Sequence, residues 1–249
     1  MAQFDVVIPF GPNDNDIIDR CVSSIHRNVV GFRFVYVIAK TPRDISGAIV
    51  LDENDFPFKY DTVLERTSEK KAAWYLQQLI KLYAPLLISE ILDNVLIVDA
   101  DTVFYKRTKF TENGKYSYDK LMEPTNDTYY AHMARLHSSF VPWKRNISGN
   151  TNVMIFNKTV LIELMEKVEQ KHNKNFWEAY LDCITDKTGA GASEYELYFN
   201  YVMNTREKSV CIRPLQWSNN GQRLDTKAPG AWHYVNYHYQ QQRKPRTFV

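Results

Sequence analysis

Blocks of apolar residues separated by stretches with helical spacing run along most of the chain. Segments rich in apolar and β-branched residues predict strands over residues 4–10, 32–39, 58–65, 95–99 and 150–158. Apolar residues three or four positions apart predict helices over residues 14–28, 68–88, 159–172 and 193–204. Strands that alternate with helices predict an α/β fold with a mostly parallel central sheet flanked by helices, and the last strand is expected inside that sheet.

Local signals mark the ends of two of these helices. Ser68 can cap the second helix, and Pro85, which has no backbone N–H, is expected to bend or end its first part. Ser193 and Glu196 have the spacing of a capping box at the start of the last helix. Residues 105–150 show only weak periodicity, which predicts surface loops and short strands that line a cleft.

Two aspartates follow the most hydrophobic of the predicted strands, in the segment VLIVDADTVF at residues 95–104. In a parallel α/β sheet, ligands bind beyond the carboxyl ends of the strands, where Asp99 and Asp101 would lie. Residues two apart in an extended segment point to the same side, so the two carboxylates would repel each other. A divalent cation between them would remove this repulsion, and carboxylates are ligands of Mg²⁺ and Mn²⁺. The alternative is a pair of solvated loop acids.

Composition argues against several classes of protein. With 249 residues, of which 44% are hydrophobic, the chain can form the core of a single domain over residues 1–249. Lys and Arg number 31 and Asp and Glu 29, so no excess of positive charge favours nucleic acid as a partner. The three scattered cysteines predict no disulfide framework. Because the sequence has no long apolar run and no secretion signal at its start, we expect no transmembrane segment and a cytoplasmic location.

The aspartate segment resembles the D-x-D strand of GT-A fold glycosyltransferases, whose single domain is Rossmann-like. Three further segments are similar to the same superfamily, particularly to its glycogenin-like family 8 and to related uncharacterised glycosyltransferases. They are the helix with Gln77, Gln78 and Lys81, the segment GNTNVMIFNK at residues 149–158, and the segment WHYVNYH at residues 232–238.

The chain also departs from the family 8 pattern at two of these segments. Asn236 replaces the glycine of the family's H-Y-x-G motif, and Asn150, Thr151 and Asn152 replace its N-A-G. The resemblance is therefore to the superfamily first, and it does not identify the sugar.

The resemblance implies a metal-dependent glycosyltransferase that moves a sugar from a nucleotide-diphosphate sugar to a hydroxyl acceptor such as a glycan. A UDP-sugar is the favoured donor, Mn²⁺ or Mg²⁺ the implied cofactor, and the activity that of a hexosyl- or pentosyltransferase. The nucleotide-binding half would span about residues 1–104. The acceptor-binding half would span about residues 105–249 and include a C-terminal segment that closes over the metal and the donor. Retaining and inverting mechanisms both stay open.

The same resemblance implies a set of metal ligands, Asp99, Asp101 and His233. Asp101 would be the principal ligand, while Asp99 would contact the metal through one oxygen or hold the donor ribose. His238 is the alternative to His233. Five residues of extended chain would place these two histidines on opposite faces, so we expect one of them to bind metal and the other to be an ordinary imidazole.

The donor would contact residues from three segments. Pro9, Phe10 and Gly11 end the first strand where the nucleotide base should dock, and Gly11 permits close backbone approach. Asn152 would lie beside the donor sugar. Lys81 would supply a positive charge to the donor diphosphate or to the two aspartates.

An inverting enzyme also needs a carboxylate that deprotonates the acceptor hydroxyl. Glu194, at the start of the last helix, is the candidate base and, with Lys81, the candidate catalytic pair. Glu194 could instead only favour the positive end of that helix, and a retaining enzyme would not need it. Trp217 and Trp232 are candidate platforms for an acceptor sugar.

Two other functions remain open at this point. Residues 99–103, DADTV, fit the signature of aspartate-nucleophile phosphatases, in which Asp99 would be phosphorylated and Asp101 would act as acid and base. Those enzymes open their fold with this strand and later supply an adjacent acidic pair that binds metal. Here other strands come first and no adjacent acidic pair follows residue 101. The third possibility is a non-catalytic module that binds nucleotide-sugar without turnover.

Overall fold

The computed structural model describes residues 4–120, 126–213, 216–218 and 232–238. Its helices are α1 (Ile18–Asn28), α2 (Tyr60–Arg66), α3 (Ala72–Leu87), α4 (Asp127–Leu136), α5 (Lys158–His172), α6 (Phe176–Asp182) and α7 (Glu194–Arg206). Its strands are β1 (Phe4–Phe10), β2 (Val29–Val30), β3 (Phe32–Ala39), β4 (Ile49–Asp52), β5 (Asn94–Val98), β6 (Thr102–Phe104), β7 (Thr108–Lys109), β8 (Thr111–Glu112), β9 (Lys115–Tyr118), β10 (Val153–Asn157), β11 (Val210–Ile212), β12 (Trp217–Ser218) and β13 (Tyr234–Asn236). Within the described ranges, no helix combines the length and the apolar character of a membrane span.

A five-stranded sheet lies at the centre of the protein, in the order β10-β5-β1-β3-β4. Strands β5, β1, β3 and β4 run parallel, and β10 pairs antiparallel with β5 at one edge. Every residue of β1 is buried, and because successive side chains point to opposite faces, both faces of the sheet are covered. The predicted α/β fold with a mostly parallel central sheet flanked by helices is thus confirmed.

Two strand predictions are corrected. Residues 58–65, predicted as a strand, contain helix α2, in which only Val63 is buried, and the strand of this region is β4. Residues 150–158 contain β10, which forms an edge of the sheet and not an inner strand. The run is apolar because the edge is covered: the Tyr118 hydroxyl donates to the carbonyl oxygen of Ile155 at 3.2 Å.

The predicted helices are found with shifted starts. A 3₁₀ turn at Pro12–Asp14 delays α1 to Ile18, four residues after its predicted start. Helix α3 continues through Pro85 to Leu87; the proline removes one i→i−4 hydrogen bond, but it lies in the last turn, so only a short segment follows the interruption. Ser68 does not cap α3 with its side chain; its hydroxyl donates to the carbonyl of Lys187. Helices α5 and α7 confirm their predictions, whereas α4 and α6 were not predicted.

A buried aspartate ties the central strands together. The Asp5 side chain in β1 is fully buried and accepts two hydrogen bonds from the Arg33 guanidinium, at 2.7 and 3.1 Å. It also accepts the backbone N–H groups of Phe34, at 3.0 Å, and Leu92, at 2.8 Å. One carboxylate therefore connects β1 to β3 and to the segment that leads into β5, and its charge is compensated by the guanidinium.

The segment at residues 232–238 returns to the central sheet's carboxyl edge. Strand β13 pairs antiparallel with β6, with Asn236 opposite Thr102. The backbone N–H of Tyr237 then donates to the carbonyl of Asp101 at 2.9 Å. This pairing brings the end of the segment to the two aspartates. The predicted C-terminal closing segment beyond residue 238 lies outside the described residues.

Candidate functional site

Two adjoining cavities open beyond the carboxyl ends of β1 and β5. The inner cavity, of about 230 Å³, contains Pro9, Lys81, Asp99, Asn152, Glu194 and Tyr195 in its wall. The outer cavity, of about 480 Å³, contains Gly11, Asn13, Lys70 and Lys71 in its wall. The two cavities share the side chains of Asp14, Trp74, Gln77, Asp101 and His238. Both predicted aspartates therefore lie where a parallel sheet of this kind binds ligands.

The Asp99 carboxylate is held by three side chains from separate parts of the chain. Lys81 Nζ in α3 lies 2.5 Å from Oδ1, and the Tyr195 hydroxyl in α7 donates to the same oxygen at 3.0 Å. Asn152 Nδ2 donates to Oδ2 at 3.0 Å. Of the two predicted roles of Lys81, the contact with an aspartate is the one present in this structure.

Lys81 lies between two carboxylates. Its ammonium is 2.6 Å from Glu194 Oε1, and the exposed fractions of the Lys81 and Glu194 side chains are only 8% and 4%. The Tyr195 ring lies 4.4 Å from Nζ. Burial opposes the ammonium form, but Asp99 and Glu194 together outweigh it and raise the pKa of Lys81 above its ordinary value. The lysine is therefore charged throughout the physiological pH range.

Asp101 has a different partner, the imidazole of His238. The imidazole Nδ1 of His238 lies 3.0 Å from Asp101 Oδ2. Burial lowers the pKa of His238, but the hydrogen bond and the charge of Asp101 outweigh burial and raise it above the ordinary value. Asp101 Oδ1 is buried and, among the described residues, has no hydrogen-bond partner.

The structure brings His238, and not His233, to the aspartates. In the antiparallel pair of β13 and β6, Tyr234 lies opposite Phe104, and the carbonyl of His233 accepts the N–H of Tyr105 at 2.8 Å. His233 therefore sits at the far end of β6 from Asp101. Its ring Nδ1 is buried there without a partner among the described residues.

The electrostatic expectation for the aspartate pair needs correction. Residues 99–101 are not extended but form a tight turn, in which the N–H of Thr102 donates to the carbonyl of Asp99 at 3.0 Å. The turn sends the two side chains to different partners, Asp99 to Lys81 and Asp101 to His238. Asp99 is thus paired with an ammonium and Asp101 with an imidazole whose pKa is raised, so the proximity of the two aspartates alone does not require a metal.

Two of the three residues predicted to dock the nucleotide base line a cavity, and the third does not. Pro9 lines the inner cavity and Gly11 the outer one. A Cβ atom at Gly11 would lie 3.3 Å from Gln77 Nε2, so the close approach predicted for this glycine is present. Phe10 is 7% exposed and belongs to the hydrophobic core, so the structure does not place it in either cavity wall.

Asn152 occupies a constrained backbone position at the site. Its φ angle of 64° lies in the left-handed region, which asparagine tolerates better than most residues. The conformation directs its amide to Asp99, while its carbonyl accepts both the N–H of Asp99, at 3.0 Å, and the Tyr195 hydroxyl, at 3.1 Å. The loop before β10 is thereby fixed against the end of β5.

Several wall residues were not predicted from the sequence. Asp14 follows β1 in a polar stretch, and Trp74 and Tyr195 occupy ordinary apolar positions of helices. Among these residues, only Tyr195 could have been singled out from the sequence, because it is adjacent to the candidate residue Glu194. At the start of α7, Ser193 accepts the N–H of Glu196 as predicted, but Glu196 accepts the Ser148 hydroxyl and does not complete the capping box.

Carboxylate and imidazole groups of this site are suitable ligands for a divalent cation. Asp101 offers a buried oxygen that no described residue contacts by a hydrogen bond, and His238 lies beside it. In the described part of the chain, no group of three His, Cys, Asp or Glu side chains is arranged to hold a metal ion. Mg²⁺-like ions commonly take only one or two protein carboxylates and complete their coordination with water and substrate phosphates. The residues present fit such a partly protein-bound ion.

The chain shares features with a protein of known structure and with a protein family. No curated protein matches it. The crystal structure of mouse xyloside xylosyltransferase 1 in its apo form superposes with a TM-score of 0.48 at 9% sequence identity, covering 99% of this chain and 99% of that chain. A likeness of this size shows neither a shared activity nor a shared ligand. Residues 16–234 match DUF6492, a family of unknown function, and the chain therefore belongs to that family.

Proposed function

We propose that the protein is a glycosyltransferase that takes a sugar from a nucleotide-diphosphate sugar, with a UDP-sugar favoured, to a hydroxyl acceptor such as a glycan. The observation that carries the proposal is the buried Oδ1 of Asp101, which has no hydrogen-bond partner among the described residues and lies beside His238 in a cavity at the carboxyl end of a parallel sheet. The D-x-D resemblance of this strand supports the same function.

Asp101 would hold the divalent cation, Mn²⁺ or Mg²⁺, through Oδ1, and His238 would join it as a ligand in its neutral form. When bound, the cation supplies Lewis-acid stabilisation of the negative charge that develops on the departing diphosphate. Asp99 has its oxygens occupied by Lys81, Tyr195 and Asn152, so its role is to fix these side chains in the wall of the inner cavity.

Lys81 and Glu194 act together in the inner cavity. Because Glu194 Oε1 is bonded to the Lys81 ammonium, we assign Glu194 to positioning this cation and not to proton abstraction from the acceptor. The ammonium lines the cavity and adds positive charge near the donor. A mechanism without a carboxylate base, as in retaining enzymes, agrees best with this arrangement.

Release of nucleoside diphosphate from a panel of nucleotide-sugars, measured with Mn²⁺ present, tests the proposal. We expect release from at least one donor, and a loss on the order of 100-fold or more in Asp101→Asn, because the cation that stabilises the developing negative charge loses its carboxylate ligand. Asp44→Asn is the matched control, since Asp44 is exposed and lines neither cavity.

Two results would count against this function. One is the absence of nucleoside diphosphate release with every donor and every divalent metal, while UDP still binds, which would leave a non-catalytic binding module. The other is hydrolysis of a generic phosphate ester that disappears in Asp99→Asn, which would identify an aspartate-nucleophile phosphatase.

A further inference from the structure

The outer cavity contains an aromatic ring and two lysines that the roles assigned above do not use. Trp74 lines both cavities, whereas Lys70 and Lys71 line the outer one alone. The Lys71 ammonium lies 4.3 Å from the centre of the Trp74 ring, which is a cation–π contact. This contact restrains the ring at the boundary between the two cavities.

The two cavities differ in size and in chemistry. The inner cavity is walled by carboxylate, amide and hydroxyl groups, which match the hydroxyl groups of a sugar. Its volume of about 230 Å³ is below the 300–1,000 Å³ that is typical of sites for drug-sized ligands, whereas the outer cavity, at about 480 Å³, is within that range. The outer cavity therefore suits the larger and flatter part of a two-part ligand.

The wall of the outer cavity carries two lysines as well as the carboxylates of Asp14 and Asp101, and the lysines are the groups that can receive an anion. In the described ranges, neither Lys70 nor Lys71 forms an ion pair with a carboxylate. Partial burial, together with the neighbouring charge of Lys70, lowers the pKa of Lys71. A negatively charged ligand group beside these two lysines would relieve their repulsion.

We infer that the outer cavity binds the nucleoside diphosphate end of the donor, with the base against Trp74 and the phosphates near Lys71, Asp101 and His238. The inference rests on the proposed function and deepens it. Because Asp101 and His238 line both cavities, a diphosphate at these residues can extend its base into the outer cavity and its sugar into the inner one. Trp74 becomes the residue that determines affinity for the base.

Calorimetric titrations of UDP, GDP and inorganic pyrophosphate in the presence of Mg²⁺ separate base binding from phosphate binding. Loss of base stacking removes about 1–3 kcal/mol, so Trp74→Leu should weaken the nucleoside diphosphate that binds best by roughly tenfold or more. The same substitution should leave pyrophosphate binding unchanged. Trp74→Phe, which keeps an aromatic face, should retain most of the affinity.

Two further variants control for charge and for the loss of a large side chain. Lys71→Met should weaken pyrophosphate and nucleoside diphosphate alike, because it removes a cation near the phosphates. Trp143→Leu should change neither, since Trp143 carries Lys144 4.0 Å above its ring in the same manner but lines neither cavity. Circular dichroism melting of each variant shows whether it is folded.

The outcomes distinguish this inference from the proposed function. If Trp74→Leu binds nucleoside diphosphates as tightly as the wild type while Asp101→Asn does not, the base lies elsewhere and the inference fails, although the transferase proposal stands. If Trp74→Leu weakens pyrophosphate as much as UDP, Trp74 has no role specific to the base and the inference also fails. If the folded wild type binds no nucleoside diphosphate with any divalent metal, both are overturned.

Discussion

Lys81 shows how one buried charge organises the site at the scale of single residues. Its ammonium contacts Asp99 and Glu194, which belong to segments almost a hundred residues apart in the chain. Taking charges out of water is unfavourable unless they are paired, and this arrangement leaves two carboxylates dependent on one lysine. The position tolerates no neutral side chain without a compensating change in its partners.

We predict that Lys81→Met lowers the free energy of unfolding by about 3–5 kcal/mol, because it leaves the buried carboxylate of Glu194 and the partly buried carboxylate of Asp99 without their cation. Urea denaturation measures this loss. Lys174→Met is the matched control, since the pair of Lys174 with Asp182 is largely exposed and should contribute only about 0–1 kcal/mol. Addition of Glu194→Gln to Lys81→Met should recover part of the loss. Equal effects of Lys81→Met and Lys174→Met would contradict the role of burial.

The individual site residues were predictable to different degrees. Asp99 and Asp101 could be placed at the carboxyl edge of the sheet because an apolar run led directly to them. The choice between His233 and His238 could not be made, because it depends on the register of β13 against β6, which joins residues more than 130 positions apart. Trp74 was indistinguishable from a core residue, since an apolar position on a helix does not show what its ring faces.

At the scale of elements, a buried carboxylate fixes how the parallel strands are joined. Asp5 in β1 accepts hydrogen bonds from Arg33, Phe34 and Leu92. Its carboxylate therefore serves as the acceptor for one backbone N–H in β3 and for one in the segment before β5. A lost carboxylate would leave a guanidinium and two N–H groups without acceptors. The positions of β1 and β5, whose carboxyl ends border the two cavities, therefore depend in part on Asp5.

We predict that Asp5→Ala destabilises the protein by about 1–3 kcal/mol, because it leaves the backbone N–H groups of Phe34 and Leu92 without their acceptor. Asp19→Ala provides the comparison, as Asp19 also pairs with an arginine, Arg43, but 61% of its side chain is exposed. Its loss should amount to about 0–1 kcal/mol. Thermal or urea unfolding of the two variants measures both values, and a small effect of Asp5→Ala would refute the proposed tie between strands.

The elements themselves were predicted where a pattern was continuous and missed where it was short. The strands at Phe4–Phe10 and Phe32–Ala39 have the predicted bounds, because long apolar runs with β-branched residues have few alternatives. Residues 58–65 formed a helix since local strand propensity there yields to packing of α2 against α3. The four-residue strand β4 and the seven-residue helix α6 are too short for periodicity to identify.

At the scale of the whole molecule, two buried groups give the stability opposite dependences on pH. Burial lowers the pKa of His132, which is fully buried, to about 4. Its unfolded value is near 6.5, so acidification from pH 6.5 to 4 favours the unfolded state by about 3 kcal/mol. Burial raises the pKa of Asp119 from 3.8 to about 6, against the opposing effect of Arg213. Acidification from pH 6 to 4 therefore favours the folded state by a similar amount.

We predict that these two effects nearly cancel in the wild type between pH 4 and 6, and that single substitutions reveal them. His132→Gln should make the protein gain stability relative to the wild type as the pH falls through this window. Asp119→Asn should make it lose stability over the same range. Urea unfolding at several pH values measures the slopes, and two variants with parallel slopes would contradict the assignment.

The overall architecture followed from the alternation of strands and helices, whereas the site required long-range contacts. Four of the five strands in the central sheet lay in or near predicted strand segments, so the parallel sheet and its ligand-binding edge could be anticipated. The two-cavity arrangement could not, because Trp74, Lys81, Asn152 and His238 meet only through the pairing of distant elements. The turn at residues 99–101 was not predicted either, and it separates the two aspartates by giving them different partners, Lys81 and His238.

Calorimetric titration of UDP into the folded protein, with Mn²⁺ and then with a chelator, tests the central claim most directly. The account predicts that UDP binds in the presence of Mn²⁺, that removal of the metal weakens binding, and that Asp101→Asn has the same effect while Asp44→Asn has none. UDP binding that is equally strong without metal and in Asp101→Asn, or no binding with any divalent cation, would contradict it.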